Sequence, residues 1–470
     1  MVFSSIVFVF CFLPVFLLCY QAVRGVRAKN AVLLMFSVIF YAWGAPRFVL
    51  AMLAAQTANF YLVRQMDRST DALRRRWCTV SVVLELGLLA YCKYANFFID
   101  NLNQSLAAMG FTPVPWAEVV LPIGISFFTF QAISYTVDVY RRHHAPLARL
   151  ADYLMYMVMF PQLIAGPIVR YGTVAADIAQ RTSSPERWLM GLHRFAMGLA
   201  KKVLLANVLG EYVDATFASE VDAVPASGLW LAVLAYTFQI YFDFSGYSDM
   251  AIGLGHMVGF RLPENFDMPY LSQSVSEFWR RWHITLGAWM RDYLYIPLGG
   301  SRYGAGRTYA NLWAVFLLSG LWHGASWTFV LWGAWHGLFI SLDRLFLGRL
   351  LAHVGRIPRI AFTFVVVALG WLLFRAPSVD MATSYLQRMF ALDGGLPVLD
   401  LRLLCTLAAA VLLAFGGMSR PGQHLQRWLY AEERSIWGHI VMIALTGLGL
   451  LLCSGYITAS GFNPFIYFRF

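Results

Sequence analysis

The chain is a succession of apolar runs separated by short charged stretches. Many runs are close to the roughly 20 residues a helix needs to cross a hydrocarbon core. They predict spans at 2–22, 30–43, 47–63, 78–98, 119–139, 188–210, 227–243, 325–345, 358–375, 400–417 and 435–454. Shorter apolar pieces at 152–168, 246–260 and 309–322 either cross at a tilt, re-enter or stop midway. A membrane barrel would show short alternating segments instead. The pattern predicts an all-α polytopic membrane protein, folded as one domain over 1–470. Val2 to Tyr20 has no basic stretch before it and no A-x-A-like cleavage site after it, so it reads as a retained span.

Three places break the pattern. Met159-Phe160-Pro161-Gln162-Leu163-Ile164-Ala165-Gly166-Pro167 puts two prolines in an apolar run. Each removes a donor from a helix ladder, which leaves a re-entrant loop or a kinked helix. The second place is 310–342, which holds no Asp, Glu, Lys or Arg but does hold His323 and His336. As one helix it would run roughly 50 Å against a core of about 30 Å, so it must break, and Gly320 and Gly324 flank His323. Continuous helix would set His336 about 20 Å from His323 and on another face. The third is 260–309, too charged to span. Ser274-Val275-Ser276-Glu277 is a capping box, and Val275, Phe278, Trp279, Trp282, Leu286, Trp289, Met290 and Tyr293 then share one helical face. This predicts one amphipathic helix lying at the cytoplasmic interface with its tryptophans in the membrane. His283 falls near the edge of that face, where an interfacial role is the simpler reading.

Composition agrees: 59% of the 470 residues are hydrophobic and 13% charged, against about 25% charged in soluble domains. The net charge of +11 would suit nucleic acid, but the cations sit in short loops between spans. Placing the clusters at Arg24–Lys29, Arg64–Arg76 and Arg141–Arg149 in the cytoplasm obeys the positive-inside rule. It sets the N-terminus outside, and no nucleic-acid partner is expected. The six cysteines mostly lie in apolar runs with no C-x-x-C pair, so neither a disulfide framework nor a zinc site is expected.

The chemistry narrows by elimination. Helical His-x-x-x-His motifs are missing, so no metal site is expected. Phe244-Ser245-Gly246-Tyr247-Ser248 does not fit a nucleophile elbow. No G-x-x-x-x-G-K loop cradles a phosphate, and no repeated halves mark a transporter. What remains is His323, an ionisable group at membrane depth and a functional candidate by default. A lone histidine needs a substrate that is already activated, such as an acyl thioester. Tyr241 to Asp249 adds two carboxylates and two small hydroxyls at the end of a span, read equally as a substrate-orienting group or a satisfied polar turn.

The chain resembles the membrane-bound O-acyltransferase (MBOAT) family, in its alginate O-acetylation (AlgI-like) branch. The resemblance covers nearly the whole chain. It is carried by Pro122 to Gln131, Phe160 to Ile168, Tyr241 to Asp249, Phe278-Trp279-Arg280-Arg281-Trp282-His283, Pro297-Leu298-Gly299-Gly300 and Leu321-Trp322-His323-Gly324. The resemblance implies a ring of tilted helices around a central funnel. It implies that His323 and His283 are the catalytic pair, which replaces the interfacial reading of His283. Trp279, Arg280, Trp282, Trp322, Asp243, Tyr247 and Gln162 are then candidate substrate contacts.

The function so implied is transfer of an acetyl group from a cytoplasmic thioester, across the bacterial inner membrane, for O-acetylation of an extracytoplasmic alginate-like polysaccharide. No bound cofactor is expected; acetyl-CoA or another acyl thioester is the donor substrate. The expected partners are membrane lipid, a periplasmic SGNH/esterase-like acetyltransferase and the polysaccharide. Alternatives are D-alanyl or other acyl transfer to a cell-wall polymer, and a non-catalytic exporter component. The last residues, Asn463-Pro464-Phe465-Ile466-Tyr467-Phe468-Arg469-Phe470, read as an aromatic interface anchor. They also resemble the tail of the small membrane partner of the D-alanyl transferase, which implies that Tyr467 carries the acyl group.

Overall fold

A computed structural model describes residues 1–182, 184–391, 395–397, 399–431 and 434–464. Among these the chain is helical, with one isolated antiparallel bridge, Phe266 to Trp282. Five of the helices are long and apolar enough to cross a membrane: Val26–Gly44, Asp71–Ala108, Arg356–Arg375, Leu401–Met418 (its end tightened into a 3₁₀ turn) and Ile436–Ala459. The contacts divide the chain into two compact units.

The first unit comprises Val7–Thr182 and Val258–Leu262. Its helices are α1 (Leu13–Ala22), α2 (Val26–Gly44), α3 (Val49–Asp67), α4 (Asp71–Ala108), α5 (Ile125–Tyr140), α6 (Leu150–Val158), α7 (Phe160–Leu163) and α8 (Tyr171–Ala179). The proline-bearing run breaks as its composition requires: α6 stops at Val158, and Met159 leaves helical geometry before the single turn of α7. The freed backbone groups are met by side chains. Ser37 Oγ accepts from the Phe160 N–H at 3.1 Å, and the Tyr156 carbonyl accepts from Gln131 Nε2 at 2.9 Å and Gln162 Nε2 at 2.6 Å. Gly124 has φ +78°, and a Cβ there would lie 2.6 Å from the Leu163 carbonyl. The Pro122–Gln131 and Phe160–Ile168 motifs therefore meet at a contact that only glycine permits.

The second unit comprises Val2–Ile6, Ser183–Met257 and Pro263–Phe470. It holds α9 (Pro185–Ala200), α10 (Asn207–Ala218), α11 (Ala226–Val258), α12 (Val275–Arg281), α13 (Ile284–Met290), α14 (Gly304–His323), α15 (Trp327–Leu342), α16 (Gly348–Ala352), α17 (Arg356–Arg375), α18 (Val379–Met389), α19 (Leu401–Phe415), α20 (Arg420–Tyr430) and α21 (Ile436–Ala459). The apolar pieces at 227–243 and 246–260 are one helix, α11, because Ser245 and Gly246 pack inward and do not break it. A Cβ on Gly198 would meet the Gly246 carbonyl at 2.4 Å, and one on Gly191 the Gly253 carbonyl at 2.6 Å. Glycines seven apart on both helices thus bring α9 and α11 into backbone contact, the usual means of close helix packing in membranes.

The run 310–342 folds back at Gly324–Ser326. Gly320 faces Phe329 and Gly333 faces Phe316, so α14 and α15 pair antiparallel. This reverses the expected remoteness of His336: the turn returns it to the neighbourhood of His323.

Candidate functional site

The predicted amphipathic helix is two helices with a break at His283. The serine half of the expected capping box forms, with the Glu277 N–H donating to Ser274 Oγ at 3.1 Å. The Glu277 carboxylate reaches past the cap residue and accepts from the Gln273 N–H at 2.9 Å. After α12, Trp282 is extended and His283 is left-handed, with φ 44° and ψ 54°. Such a conformation in a non-glycine residue is uncommon and needs support from its surroundings. Here Asn265 supplies it. Its carbonyl accepts from the Ile284 N–H at 3.0 Å, and its Oδ1 accepts from Thr285 Oγ1 at 2.9 Å and the Thr285 N–H at 3.3 Å.

Asn265 Oδ1 is also 3.0 Å from His283 Nδ1. Since Nδ2 of the same amide donates to Ser248 Oγ at 3.2 Å, Oδ1 is the acceptor and His283 carries its proton on Nδ1. Its Nε2 keeps a lone pair and has no partner among the described residues. Burial pushes the imidazole down to about 3, so the ring is neutral. Polarising a carbonyl would need an N–H at Nε2, which this tautomer lacks. The ring packs edge-on to Phe244 of α11, centroids 4.7 Å apart.

His323 ends α14 and is 5% exposed. Aromatic rings surround it: Trp322 at 4.9 Å, Trp332 at 5.0 Å and Phe374 at 5.3 Å. Trp322 also lies 6.4 Å from the His283 ring, so one indole stands between the two histidines. On the other side, Trp332 is shared with His336, again edge-on at 5.0 Å. His336 is fully buried against Trp279 and Trp371, and neither of its nitrogens has a hydrogen-bond partner among the described residues. Among the described residues no three His, Cys, Asp or Glu side chains converge on a metal position.

Of the expected membrane anchors, Trp282 is an interior residue and Trp279 is half-buried. Trp282 is 3% exposed and packs on Trp371 at 4.8 Å and Phe266 at 5.0 Å. Trp279 packs on His336 and Trp332. These indoles point inward because α12 packs on α15 and α17, with Trp279 on Trp332 and Trp282 on Trp371. Arg280 is exposed. Asp243 is buried and paired with Lys202 at 2.8 Å. Tyr247 is buried with its ring stacked on Phe3 at 4.5 Å. Gln162 belongs to the first unit, its amide N–H engaged by Tyr156. Tyr467 lies outside the described residues.

A cavity of about 830 Å³ opens beside Asn265. Its wall includes Asp249, which accepts from Arg194 at 2.7 Å and Lys201 at 2.6 Å, and Tyr430 of α20, whose ring lies under the Arg194 guanidinium at 4.3 Å. Asn265, Lys202 and α20 escaped the sequence reading. The signal for α20 was a serine cap at Ser419 with proline two positions on, at Pro421. Nothing local marked Asn265 or Lys202.

A family model described as MBOAT, membrane-bound O-acyltransferase family, matches residues 91–355. The chain is 41% identical over 491 aligned residues to the probable alginate O-acetylase AlgI of Pseudomonas putida, with all of both chains covered. It is 34% identical to the peptidoglycan O-acetyltransferase of Helicobacter pylori, over 84% of this chain and 80% of that one. It is 27% identical to the teichoic acid D-alanyltransferase of Bacillus subtilis, over 56% of this chain and 73% of that one. The chain belongs to the membrane-bound O-acyltransferase family and is a multi-pass membrane O-acyltransferase.

Proposed function

We propose that this protein transfers acetyl groups from a cytoplasmic thioester to an extracytoplasmic alginate-like polysaccharide, through a periplasmic esterase-like partner. The full-length similarity to a protein named as an alginate O-acetylase supports the polymer and the acyl group. In this reading the protein sits in the bacterial inner membrane with its N-terminus outside, and the basic loops stay in the cytoplasm.

The observation that carries the chemistry is the line His283, Trp322, His323, two neutral-capable bases joined by one indole. The cavity beside Asn265, walled mostly by apolar side chains together with Arg194, Lys201 and Arg427, is assigned to the arm of acetyl-CoA. His283 Nε2, as an acceptor, takes a hydrogen bond from an amide N–H of that arm and so orients the donor. His323 removes the proton from the attacking hydroxyl, a role worth roughly 10²–10⁴-fold in rate. The Tyr467 phenol is the attacking group: its oxygen bonds to the acetyl carbon, the C–S bond breaks, and the proton passes through His323 to the leaving thiolate. A phenol with pKa near 10 is easier to activate than a sugar hydroxyl. The aryl ester stays reactive enough to acylate a serine hydroxyl of the partner, which regenerates the phenol and passes the acetyl group to the polymer.

The test is single-turnover labelling. Purified protein given acetyl-labelled CoA should carry label on its C-terminal peptide, and adding the partner should discharge it. Label that never leaves CoA under these conditions would sink the donor assignment. Label that reaches the partner without passing through the tail would make the partner serine the direct acceptor.

A further inference from the structure

Lys202 lies in the second unit and is 2% exposed. It sits in a widened turn, Lys201–Ala206, that joins α9 to α10. Such one-turn widenings of a helix often mark functional positions. An ammonium has three N–H donors and no acceptor. Asp243 Oδ1 stands 2.8 Å away as an ion pair, and two donors are hydrogen-bonded, to Asn207 Oδ1 at 2.7 Å and to the main-chain carbonyl of Pro464. The third partner belongs to the C-terminal segment that follows α21.

Other contacts hold the same segment. Asn207 Nδ2 donates to the Phe462 carbonyl at 3.3 Å. Ser4 Oγ donates to Asn463 Oδ1 at 2.9 Å, and Asn463 Nδ2 donates back to the Ser4 carbonyl at 3.1 Å. A Cβ on Gly210 would meet Gln239 Nε2 at 2.6 Å, and the Phe462 ring stands 3.5 Å from the same point, at ordinary van der Waals contact. Gln239, one turn before Asp243 on α11, is 5% exposed, and its Oε1 has no donor among the described residues. The segment is gripped mainly through carbonyl oxygens, and the grip is charge-assisted, the stronger kind of hydrogen bond. Withdrawing it would leave a buried ammonium N–H without an acceptor, which favours the docked state.

The clasp and the candidate site share one turn of helix. Asp243 holds Lys202, and its neighbour Phe244 packs on His283. Tyr467 is three residues beyond Pro464 in sequence, so a fixed Pro464 keeps it within about 11 Å of chain.

We propose that Lys202, Asp243, Asn207 and Ser4 form a built docking site for the chain's own C-terminal segment. Lys202 and Asp243 are positioning residues that root the tail for acyl transfer. The positioning role rests on the tail-carrier reading above; the docking itself does not.

The test separates the two. A Ser4→Cys, Asn463→Cys pair in the full-length protein in native membranes should form a disulfide on mild oxidation, read as a linked peptide by mass spectrometry. Lys202→Met should cut its yield about tenfold, and Lys202→Arg should restore most of it. Because Lys202→Met strands the Asp243 charge, the pair Lys202→Met, Asp243→Leu provides a second variant without that charge. In this double variant the linked peptide should fall equally, and kcat for acetyl transfer should fall at least tenfold with an unchanged KM for the thioester. Wild-type cross-linking in the double variant would overturn the docking site. Reduced cross-linking with wild-type kcat would overturn the positioning role and leave docking standing. If Tyr467→Phe is fully active, the carrier reading fails, yet the Lys202-dependent cross-link is still expected.

Discussion

The imidazole of His283 and the amide of Asn265, 18 residues apart in sequence, are joined by a 3.0 Å hydrogen bond that fixes which nitrogen bears the proton. The same asparagine secures the two residues after His283. One side chain thus sets both the unusual backbone and the tautomer. Removing it in Asn265→Ala should leave a buried N–H unpaired, costing about 1–3 kcal/mol of stability, and should release the His283 ring, lowering acetyl transfer about tenfold or more. Acetyl transfer by purified protein checks this against protein level in the membrane.

Asn265→Asp keeps the acceptor and adds a negative charge. A carboxylate favours the imidazolium, so the His283 pKa should rise from its depressed value of about 3. Nε2 serves while neutral, so activity should be lost as pH falls through the raised pKa. The acid limb of the pH–rate profile should therefore move to higher pH, while the alkaline side is unchanged. An identical acid limb in both proteins would remove His283 from the donor step.

His323→Ala should reduce acetylation roughly 10²–10⁴-fold with normal amounts of inserted protein. Immunoblotting of membranes alongside polymer acetyl content separates the two quantities. Substantial acetylation at normal protein level would end the general-base assignment.

His336 shares Trp332 with His323 but is closed in by indoles, with Gly370 close against it. His336→Ala should open a cavity among Trp279, Trp332 and Trp371 and cost about 2 kcal/mol or more of stability. Thermal unfolding in detergent should show the loss in His336→Ala, while activity per folded protein should fall far more in His323→Ala.

The α14–α15 hairpin makes a steric prediction with its own control. A Cβ at Gly320 would stand 2.2 Å from the Phe329 carbonyl, so Gly320→Val should abolish accumulation of folded protein. Gly306, on the same helix, has open space around it. Gly306→Ala should be neutral or stabilise by up to about 1 kcal/mol through helix propensity. Fluorescence-detected size exclusion of both variants measures the difference.

Tyr467→Phe removes only the phenolic oxygen. Acetyl transfer to the polymer should stop, and no label should appear on the C-terminal peptide. A fully active variant would leave the tail as an anchor.

Hydropathy alone determined the helical, many-span character of this chain, because a bilayer demands long apolar helices wherever backbone crosses it. It also located two breaks. Proline at Pro161 cannot sustain a ladder, and 33 residues of apolar helix from 310 to 342 exceed the core. His323 was singled out for a related reason: an ionisable side chain inside an uncharged run is a functional candidate by default. His283 was not legible from periodicity, which treats 275–293 as one helix and its tryptophans as anchors. The left-handed turn at His283 is stabilised by Asn265, a partner that no helical period links to it.

What only tertiary structure decided are the pairings made after the chain turns back. His336 sits 13 residues from His323 in sequence and beside the same indole in space, because Gly320 and Gly333 let two backbones touch. Lys202 falls inside the predicted span 188–210, and nothing local marked it. Its role appears only when the glycine contacts between α9 and α11 bring it against Asp243, and when the far end of the chain supplies its last acceptor. Hydrophobic pattern is a property of one helix at a time. The satisfaction of a buried charge depends on which helices meet, and that is fixed by shape at the glycines and by hydrogen bonds between segments far apart in sequence.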